Sequence, residues 1–311
     1  MTNNLTVGFM GSGHFAAMCL EHICTRVRPI WVITNAPRAA GRGMKMRMTP
    51  VHELAQKLSL PVYTTVKLAA DTERIAWMRD NTPDVMLVID FGHMIKEPVL
   101  SMARLGCINA HPSRLPEYRG SAPIQRALMD GRTKTAVSLF RLDAGMDSGP
   151  LLAQPELEIL PEDDAGTLMA RAAKVGSEAL LHYICDVPDG EWHFTPQPAE
   201  GATLAPKIDK SEGRIDWRAM GAEEIVNRIR GIGQAPGVFC MVHGRRLRIR
   251  AAHAVSSCGA AGTFHIKGGI PTVGCRSGAL ALDEVQPEGK KTQDSRGWAR
   301  GARLEEGEIL E

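Results

Sequence analysis

The chain has 311 residues, a length that suggests two domains of ordinary size, each able to bury its own core. A hydrophobic content of 44% and a charged content of 23% are those of a soluble globular protein, and no apolar run approaches the ~18 residues of a membrane span. The formal net charge is +2, with 17 Lys and Arg against 13 Asp and Glu from Lys207 onward, a surplus that gives only weak support to a polyanionic partner.

The start, MTNNLTVGFMGSG, has no basic region and no small-residue cleavage site after an apolar segment, so no secretory signal and a cytoplasmic location are expected. Cysteines 19, 24, 107, 185, 240, 258 and 275 form no CxxC pair, which argues against a disulfide framework and a structural zinc site, and no metal is expected. LTVGFMG (5–11) reads as a buried parallel strand that glycines 11 and 13 turn into a helix from near His14. PIWVITN (29–35) is a second strand, TPVHELAQKLSL (49–60) a helix with a Thr cap and a proline in first position, and PVYTT (61–65) a third strand. DVMLVIDFG (84–92) as strand, EPVLSMARLG (97–106) as a short helix and CINAH (107–111) as strand continue the alternation. This rhythm predicts an α/β fold, a Rossmann-like, mostly parallel sheet with helices on both faces.

GSAPIQRALMDG (120–131) predicts a helix capped by Ser121, and TAVSLFRLD (135–143) a partly exposed strand. DAGTLMARAAKVGSEALLHYICD (164–186) is the longest helical pattern, with apolar positions 168, 172, 175, 179, 180 and 184 on one face. VPDGEWHFTPQPAEGATLAP has no period and reads as a linker. Beyond it come one helix, GAEEIVNRIRG (221–231), and short glycine-separated strands that suggest a small sandwich or barrel. The expected division is a catalytic domain over 1–188, a linker over 189–206 and a smaller β domain over 207–311.

Asn109 and His111 stand at i and i+2 of a strand and so project to one side, while Ala110 faces away. Open α/β sheets bind ligands at the carboxyl ends of such strands. Taken alone, the pair serves as readily to satisfy loop backbone groups. LDAGMDSGP (142–150) adds two carboxylates, Asp143 and Asp147, among glycines that permit tight turns. A carboxylate beside an imidazole orients it and favours its charged form, and a neighbouring amide N–H can meet a developing oxyanion. Amide, imidazole and carboxylate suit acyl transfer to an amine without a covalent intermediate, because no serine or cysteine sits in a nucleophile turn.

Gly11-Ser12-Gly13 lacks the third glycine of a dinucleotide fingerprint, and Thr34-Asn35 stand where that fold places an acid, so a nucleotide-dependent oxidoreductase is a remote alternative. Arg38, Arg42, Lys45 and Arg47 in PRAAGRGMKMRMTP (37–50) read as a mobile basic loop beside the ligand-binding edge. In RRLRIR (245–250), Arg246, Arg248 and Arg250 share a strand face that suits phosphates or protects an edge.

NAHPSRLPEYRGSAPIQ (109–125) followed by DAGMDSG (143–149) resembles the paired motifs of folate-dependent formyltransferases. RAAGRG, LAPKIDKSEGRIDW (204–217), EVQPEGKKTQ and ARGARLEEGEIL resemble segments of the methionyl-tRNA formyltransferase family, nearly end to end. The resemblance implies a Rossmann-like formyl-transfer domain followed by an OB-like barrel that contacts tRNA. It implies a formyl donor, 10-formyltetrahydrofolate, and an acceptor, the α-amine of methionyl initiator tRNA. It carries a catalytic trio onto Asn109, His111 and Asp147, folate contacts onto Ser113, Arg114, Leu115 and Pro116, and a tRNA contact onto Arg42. A monomer is expected.

Asp90-Phe91-Gly92 departs from the apolar strand, small residue and Tyr-Gly usual in relatives, placing a carboxylate near the expected pterin pocket. Gly13-His14 stand where Pro-Asp is common, and Arg114 and Glu117 replace more usual leucine and basic residues. The alternative keeps the chemistry but takes an amino sugar or hydroxylated ornithine as acceptor, which requires neither the basic loop nor the barrel. A catalytically silent RNA-binding protein is disfavoured by the intact trio.

Overall fold

The structure, a computed structural model, describes residues 5–40, 45–256 and 259–311. Val7–Gly11 (β1) is buried throughout and passes through Ser12 and Gly13 into His14–Ile23 (α1). Trp31–Asn35 (β2) pairs with it in parallel; a β-carbon on Gly8 would lie 2.5 Å from the Trp31 ring, so only the bare glycine admits that indole beside β1. Arg38–Ala40 (β3) and Lys45–Arg47 (β4) form an antiparallel ribbon with Arg38 opposite Arg47. The stretch expected as a mobile loop therefore has a regular base, in which cross-strand pairing satisfies backbone groups.

Pro50–Lys57 (α2) starts at Thr49, whose hydroxyl accepts the His52 N–H at 3.1 Å. Val62–Thr65 (β5), Thr72–Asp80 (α3) and Val85–Ile89 (β6) follow. Met78 is the one buried residue of α3, an apolar pattern too sparse to mark a helix in the sequence. β6 stops at Ile89 because Asp90 takes a left-handed backbone, φ +43°. The helix expected over 97–106 is instead a run of turns, in which Val99 donates to Lys96, Met102 to Val99 and Gly106 to Ala103. These turns seat Val99 and Ala103 against the core with Met86 and Cys107.

Cys107–His111 (β7) has the expected bounds. Arg119–Gly120 (β8) precedes Pro123–Met129 (α4), which opens on Ala122 without a side-chain cap, so Ser121 does not cap it. Lys134–Ala136 (β9) and Ser138–Arg141 (β10) break the single strand expected at 135–143. Three of the four β10 residues are buried, because β10 lies between β7 and Leu151–Ala153 (β11) inside the sheet and is not a partly exposed strand. Glu156–Glu158 (β12) pairs with β9. Ala165–Cys185 (α5) buries Leu168, Ala172, Ala173, Gly176, Ser177, Leu180, Leu181 and Ile184, while Val175 and Ala179 stay half-buried.

The remaining elements are Leu204–Ala205 (β13), Ala222–Ile232 (α6), Val238–Val242 (β14), Arg245–Val255 (β15), Phe264–Lys267 (β16), Ile270–Gly274 (β17), Ala279–Pro287 (β18), Gln293–Asp294 (β19) and Ser295–Ala302 (α7). Two compact units result: Met1–Gly120, Lys134–Glu158 and Thr167–Leu204 form one, and Ser121–Thr133, Ile159–Gly166 and Ala205–Glu311 the other.

The first unit holds a sheet of order β11-β10-β7-β6-β1-β2-β5, in which β7-β6-β1-β2-β5 are parallel and β10 runs antiparallel to both of its neighbours, β7 and β11. One face carries Met10, Trp31, Ile33, Met86, Val88 and Cys107. On the other lie α1 and α5, joined where the Ser177 hydroxyl donates to the Cys19 carbonyl at 3.3 Å. A β-carbon on Gly176 would stand 2.8 Å from Val137 Cγ1 and 3.8 Å from the Ala110 Cβ, so small residues let α5 close on the back of β7. Ala110 thus faces α5, and alternation turns Asn109 and His111 to the opposite face. In the second unit β14-β15-β18-β17-β16 form an antiparallel sheet over a core that includes Trp217, Ile225, Ile249, Phe264 and Leu282. Among the described residues no helix is long and apolar enough to cross a membrane.

Candidate active site

At the end of β7, His111 is only 6% exposed and Asn109 is half-buried beside it. His111 Nε2 lies 2.9 Å from the Tyr118 carbonyl, and since a carbonyl only accepts, that nitrogen carries the hydrogen. Nδ1 is left facing Asp147, 3.9 Å from its Oδ2. Oδ2 also accepts the Gly120 N–H at 2.8 Å, which ties the carboxylate to the end of the loop that follows β7.

The Asp147 loop shows why its motif needs those residues. Asp143 Oδ1 accepts the Gly145 N–H and the Ser148 hydroxyl, both at 2.9 Å, which closes a local turn. A β-carbon on Gly149 would lie 1.8 Å from the Arg141 carbonyl oxygen, so the chain can fold back here only with glycine. Asp143 is exposed and organises the loop; Asp147, at φ +51°, points at the imidazole.

Within Pro112–Gly120, Ser113, Leu115 and Pro116 are buried, and the Ser113 hydroxyl donates to the Glu117 carbonyl at 2.8 Å. Ser138 Oγ donates to the Ser113 carbonyl at 2.6 Å and accepts the Leu115 N–H at 3.0 Å. Gln154 Nε2 donates to both Ser138 Oγ and the Leu115 carbonyl at 2.8 Å. Sequence reasoning missed Ser138 and Gln154; the available signal was a serine inside an otherwise apolar strand. The expected folate-loop residues are thus internal supports, except Arg114, whose guanidinium pairs with Glu156 at the surface.

Phe91 is a core residue, 2% exposed, its ring 4.7 Å from that of His93. Gly92 has φ +74°, and the Asn35 amide donates to the Phe91 carbonyl at 3.0 Å. The Asp90 carbonyl accepts the N–H groups of Ser12 and Gly13 at 3.1 and 3.2 Å. Its carboxylate accepts from the amides of Phe15 and Ala16, capping α1, and a β-carbon on Gly13 would lie 1.8 Å from Oδ2. Although Asp90 keeps an exposed side, burial pushes its pKa up to about 6, against the opposing pull of His14 and those amides. The carboxylate expected to meet the pterin is therefore engaged by the start of a helix. Beside the Asp147 loop, a cavity of about 750 Å³ is bounded by the β6–β7 connection, including Ile95 and Leu100, and by Leu142 to Ala144.

Arg38 and Arg47 are exposed on the β3–β4 ribbon; Lys45 ends its pairing, and Arg42 lies outside the described residues. On β15, Leu247 and Ile249 are buried and the arginines alternate to the other face. Arg248 Nη2 donates to the Gln234 and Pro236 carbonyls at 3.1 and 3.2 Å, and Arg250 Nη1 to the Gly233 carbonyl at 2.8 Å. Arg250 thus meets the C-cap carbonyl of α6, a contact the helix dipole favours, and Arg248 holds the turn that follows the helix. Arg246 lies over the Phe239 ring, 3.5 Å from its centroid.

A parallel sheet whose β7 strand offers an amide and an imidazole to an aspartate loop places the chain among the formyl transferases. The Formyl transferase family model matches residues 6–184, and the Formyl transferase, C-terminal domain, model matches 207–303. A methionyl-tRNA formyltransferase of Jannaschia sp. (strain CCS1) is 38% identical over 304 residues, 97% of this chain and 99% of that protein. Another, of Paracoccus denitrificans (strain Pd 1222), is 37% identical over 96% of this chain and 98% of its own length. Among solved structures, a methionyl-tRNA formyltransferase from Clostridium thermocellum shares the fold at TM-score 0.57 and 16% identity, covering 91% of this chain and 98% of that one. The chain belongs to the methionyl-tRNA formyltransferase family.

Proposed function

We propose that the chain transfers a formyl group from 10-formyltetrahydrofolate to the α-amine of methionine esterified to initiator tRNA, acting as a monomer in the cytoplasm. The observation that carries this reading is the approach of the buried His111 Nδ1 to the half-buried Asp147 Oδ2 at 3.9 Å, with Asn109 on the same face of β7. Residues 1–188 are the transfer domain, 189–206 lead out of it, and 207–311 form the tRNA-contacting domain, a division supported by the limits of the two family matches.

The cavity beside the Asp147 loop has a volume within the range of ~300–1,000 Å³ typical of small-ligand pockets. Ile95, Leu100 and Leu142 give it apolar walls suited to a flat bicyclic ring. The folate brings the carbon that is transferred. The Asn109 amide and a doubly protonated His111 hold N–H groups toward an oxygen that gains negative charge, each such donor being worth on the order of 3 kcal/mol. With Nε2–H fixed on Tyr118, it is Nδ1–H that His111 offers there. Asp147 keeps the charged ring in place and takes the proton that the attacking amine loses; as the tetrahedral carbon collapses, its bond to the folate nitrogen breaks and that nitrogen leaves carrying the proton, which restores the carboxylate.

Ser113, Leu115 and Pro116 shape the loop along the donor; Phe91 and Gly92 back it, and Arg114 and Asp90 stand at its margins. The ribbon residues Arg38, Arg42, Lys45 and Arg47 are assigned to tRNA phosphates, with Arg246 as a further contact and Arg248 and Arg250 supporting it through their remaining N–H groups. The deciding assay offers the protein 10-formyltetrahydrofolate with methionyl initiator tRNA, methionyl elongator tRNA, a nucleotide amino sugar or hydroxyornithine. Formylation of the initiator species is expected; formylation of the sugar or the hydroxyornithine alone would overturn the proposal.

A further inference from the structure

The stretch from Phe194 to Thr203 has no helical or strand period, yet it touches both loops of the candidate site. Thr195 pairs with Leu151, just beyond the Asp147 loop, through two backbone hydrogen bonds of 2.8 Å. At its other end Thr203 donates to the Pro116 carbonyl at 3.2 Å and accepts from the Arg119 and Tyr118 N–H groups, at 2.9 Å on its carbonyl and 2.8 Å on its hydroxyl. Between these anchors lies Gln197. Its Nε2 donates to the Asp147 and Gly149 carbonyls, both at 2.8 Å. Its Oε1 accepts from Arg119 Nε at 3.2 Å and Nη2 at 2.6 Å.

All the hydrogen-bonding capacity of the Gln197 amide thus runs between the Asp147 turn and the residue before Gly120. Asp147 holds a left-handed backbone, φ +51°, which for a residue with a β-carbon persists only where the surroundings over-determine it. Gly120 holds the Asp147 carboxylate from the side chain; Gln197 holds the same residue from its carbonyl. We infer that Gln197, oriented by Arg119, is a positioning residue for formyl transfer, and that the 194–203 segment acts as a strap that sets the distance between Asp147 and His111. This rests on the role proposed for Asp147.

Glutamine is suited to this place because it offers two donors and an acceptor from one planar group. Glutamate in its charged form keeps the acceptor for Arg119 but turns an oxygen on two carbonyls, and alanine removes both. A misplacement of about 1 Å at a reacting group can lower a rate by ~100-fold.

The test compares Gln197→Ala, Gln197→Glu, Arg119→Ala, the Gln197→Ala/Arg119→Ala double variant and Asp147→Asn in steady-state formylation of methionyl initiator tRNA, with thermal unfolding recorded for each. Both Gln197 variants should lose roughly 10- to 100-fold in kcat with KM for both substrates within about threefold. The double variant should be no worse than about threefold below Gln197→Ala, since both residues act through one turn. If Asp147→Asn is inactive while both Gln197 variants keep kcat within threefold, or lose only KM or melting temperature, the strap inference fails alone. If Asp147→Asn is itself fully active, the catalytic reading beneath it fails.

Discussion

Replacing Asp147 by asparagine removes one charge and little else, because the amide oxygen can still accept the Gly120 N–H that Oδ2 accepts at 2.8 Å. The carboxylate and the His111 ring are 3.9 Å apart with side chains only 16% and 7% exposed. At an effective dielectric of about 20, opposite charges at that separation attract by about 4 kcal/mol. Nearly all of this is lost if the imidazolium forms only as charge develops on the formyl oxygen, so the barrier should rise by a comparable amount. An amide dipole recovers part of it, and the expected fall in kcat/KM is roughly a hundred- to a thousand-fold. The assay is initial-rate formylation of methionyl initiator tRNA across donor and acceptor concentrations, with far-UV circular dichroism to show that the variant is folded. A folded Asp147→Asn protein within threefold of wild type in kcat/KM would show that the ion pair does not operate in the transition state.

Three further outcomes follow from the geometry. Ser138→Ala removes a fully buried hydroxyl and leaves the Ser113 carbonyl, the Leu115 N–H and the Gln154 amide without it, and urea unfolding should show a loss of about 2–3 kcal/mol; a loss below ~0.5 kcal/mol would mean that the loop reorganises around the gap. Asp90 titrates near 6 in the folded chain against 3.8 ordinarily, so the native state binds the extra proton and the stability it confers below about pH 4 is lost as pH rises through about 6. Asp90→Asn, which mimics the neutral acid and keeps a cap acceptor, should be neutral at about pH 4 and stabilising by at most ~1 kcal/mol at about pH 8, given the exposed side of the residue; a benefit that does not grow with pH would refute the sign. If the β3–β4 ribbon meets tRNA phosphates, Arg38→Ala and Arg47→Ala should each flatten the slope of log affinity against log salt by about one unit in filter binding, and an unchanged slope would remove that residue from the interface.

Continuous apolar runs made the parallel strands readable, since a strand buried on both faces has little choice of residue type, and β7 ends where CINAH ends. Periodicity failed where burial was sparse or turns took over. α3 buries only Met78, and the 97–106 run packs Val99 and Ala103 through turns at a spacing that also fits a helix. On β15 alternation correctly put three arginines on one face but carried no information on what covers that face, which is the end of α6 for Arg250 and the turn after it for Arg248. The i, i+2 rule brought Asn109 and His111 together. Ser138 is marked only by being a serine in an apolar strand, and no local rule picks out Gln154 or Gln197, because each acts by hydrogen bonds to groups far away in the chain.

The two departures at the opening turn and at the end of β6 have one physical origin. A β-carbon at position 13 and the carboxylate at position 90 exclude one another, since the first would fall 1.8 Å from Oδ2 of the second. Glycine at 13 opens the space, and without a side chain it cannot itself cap α1. His14 follows it and puts no acid in the first turn, so the amides of Phe15 and Ala16 take their acceptor from Asp90 across the β1–β6 pair. The carboxylate that stands out as a departure when β6 is read alone also serves the helix it caps. If the chain binds a folate as proposed, the neighbouring cavity offers the ring apolar walls at Ile95, Leu100 and Leu142, in addition to the Asp90 carboxylate that the helix start already engages.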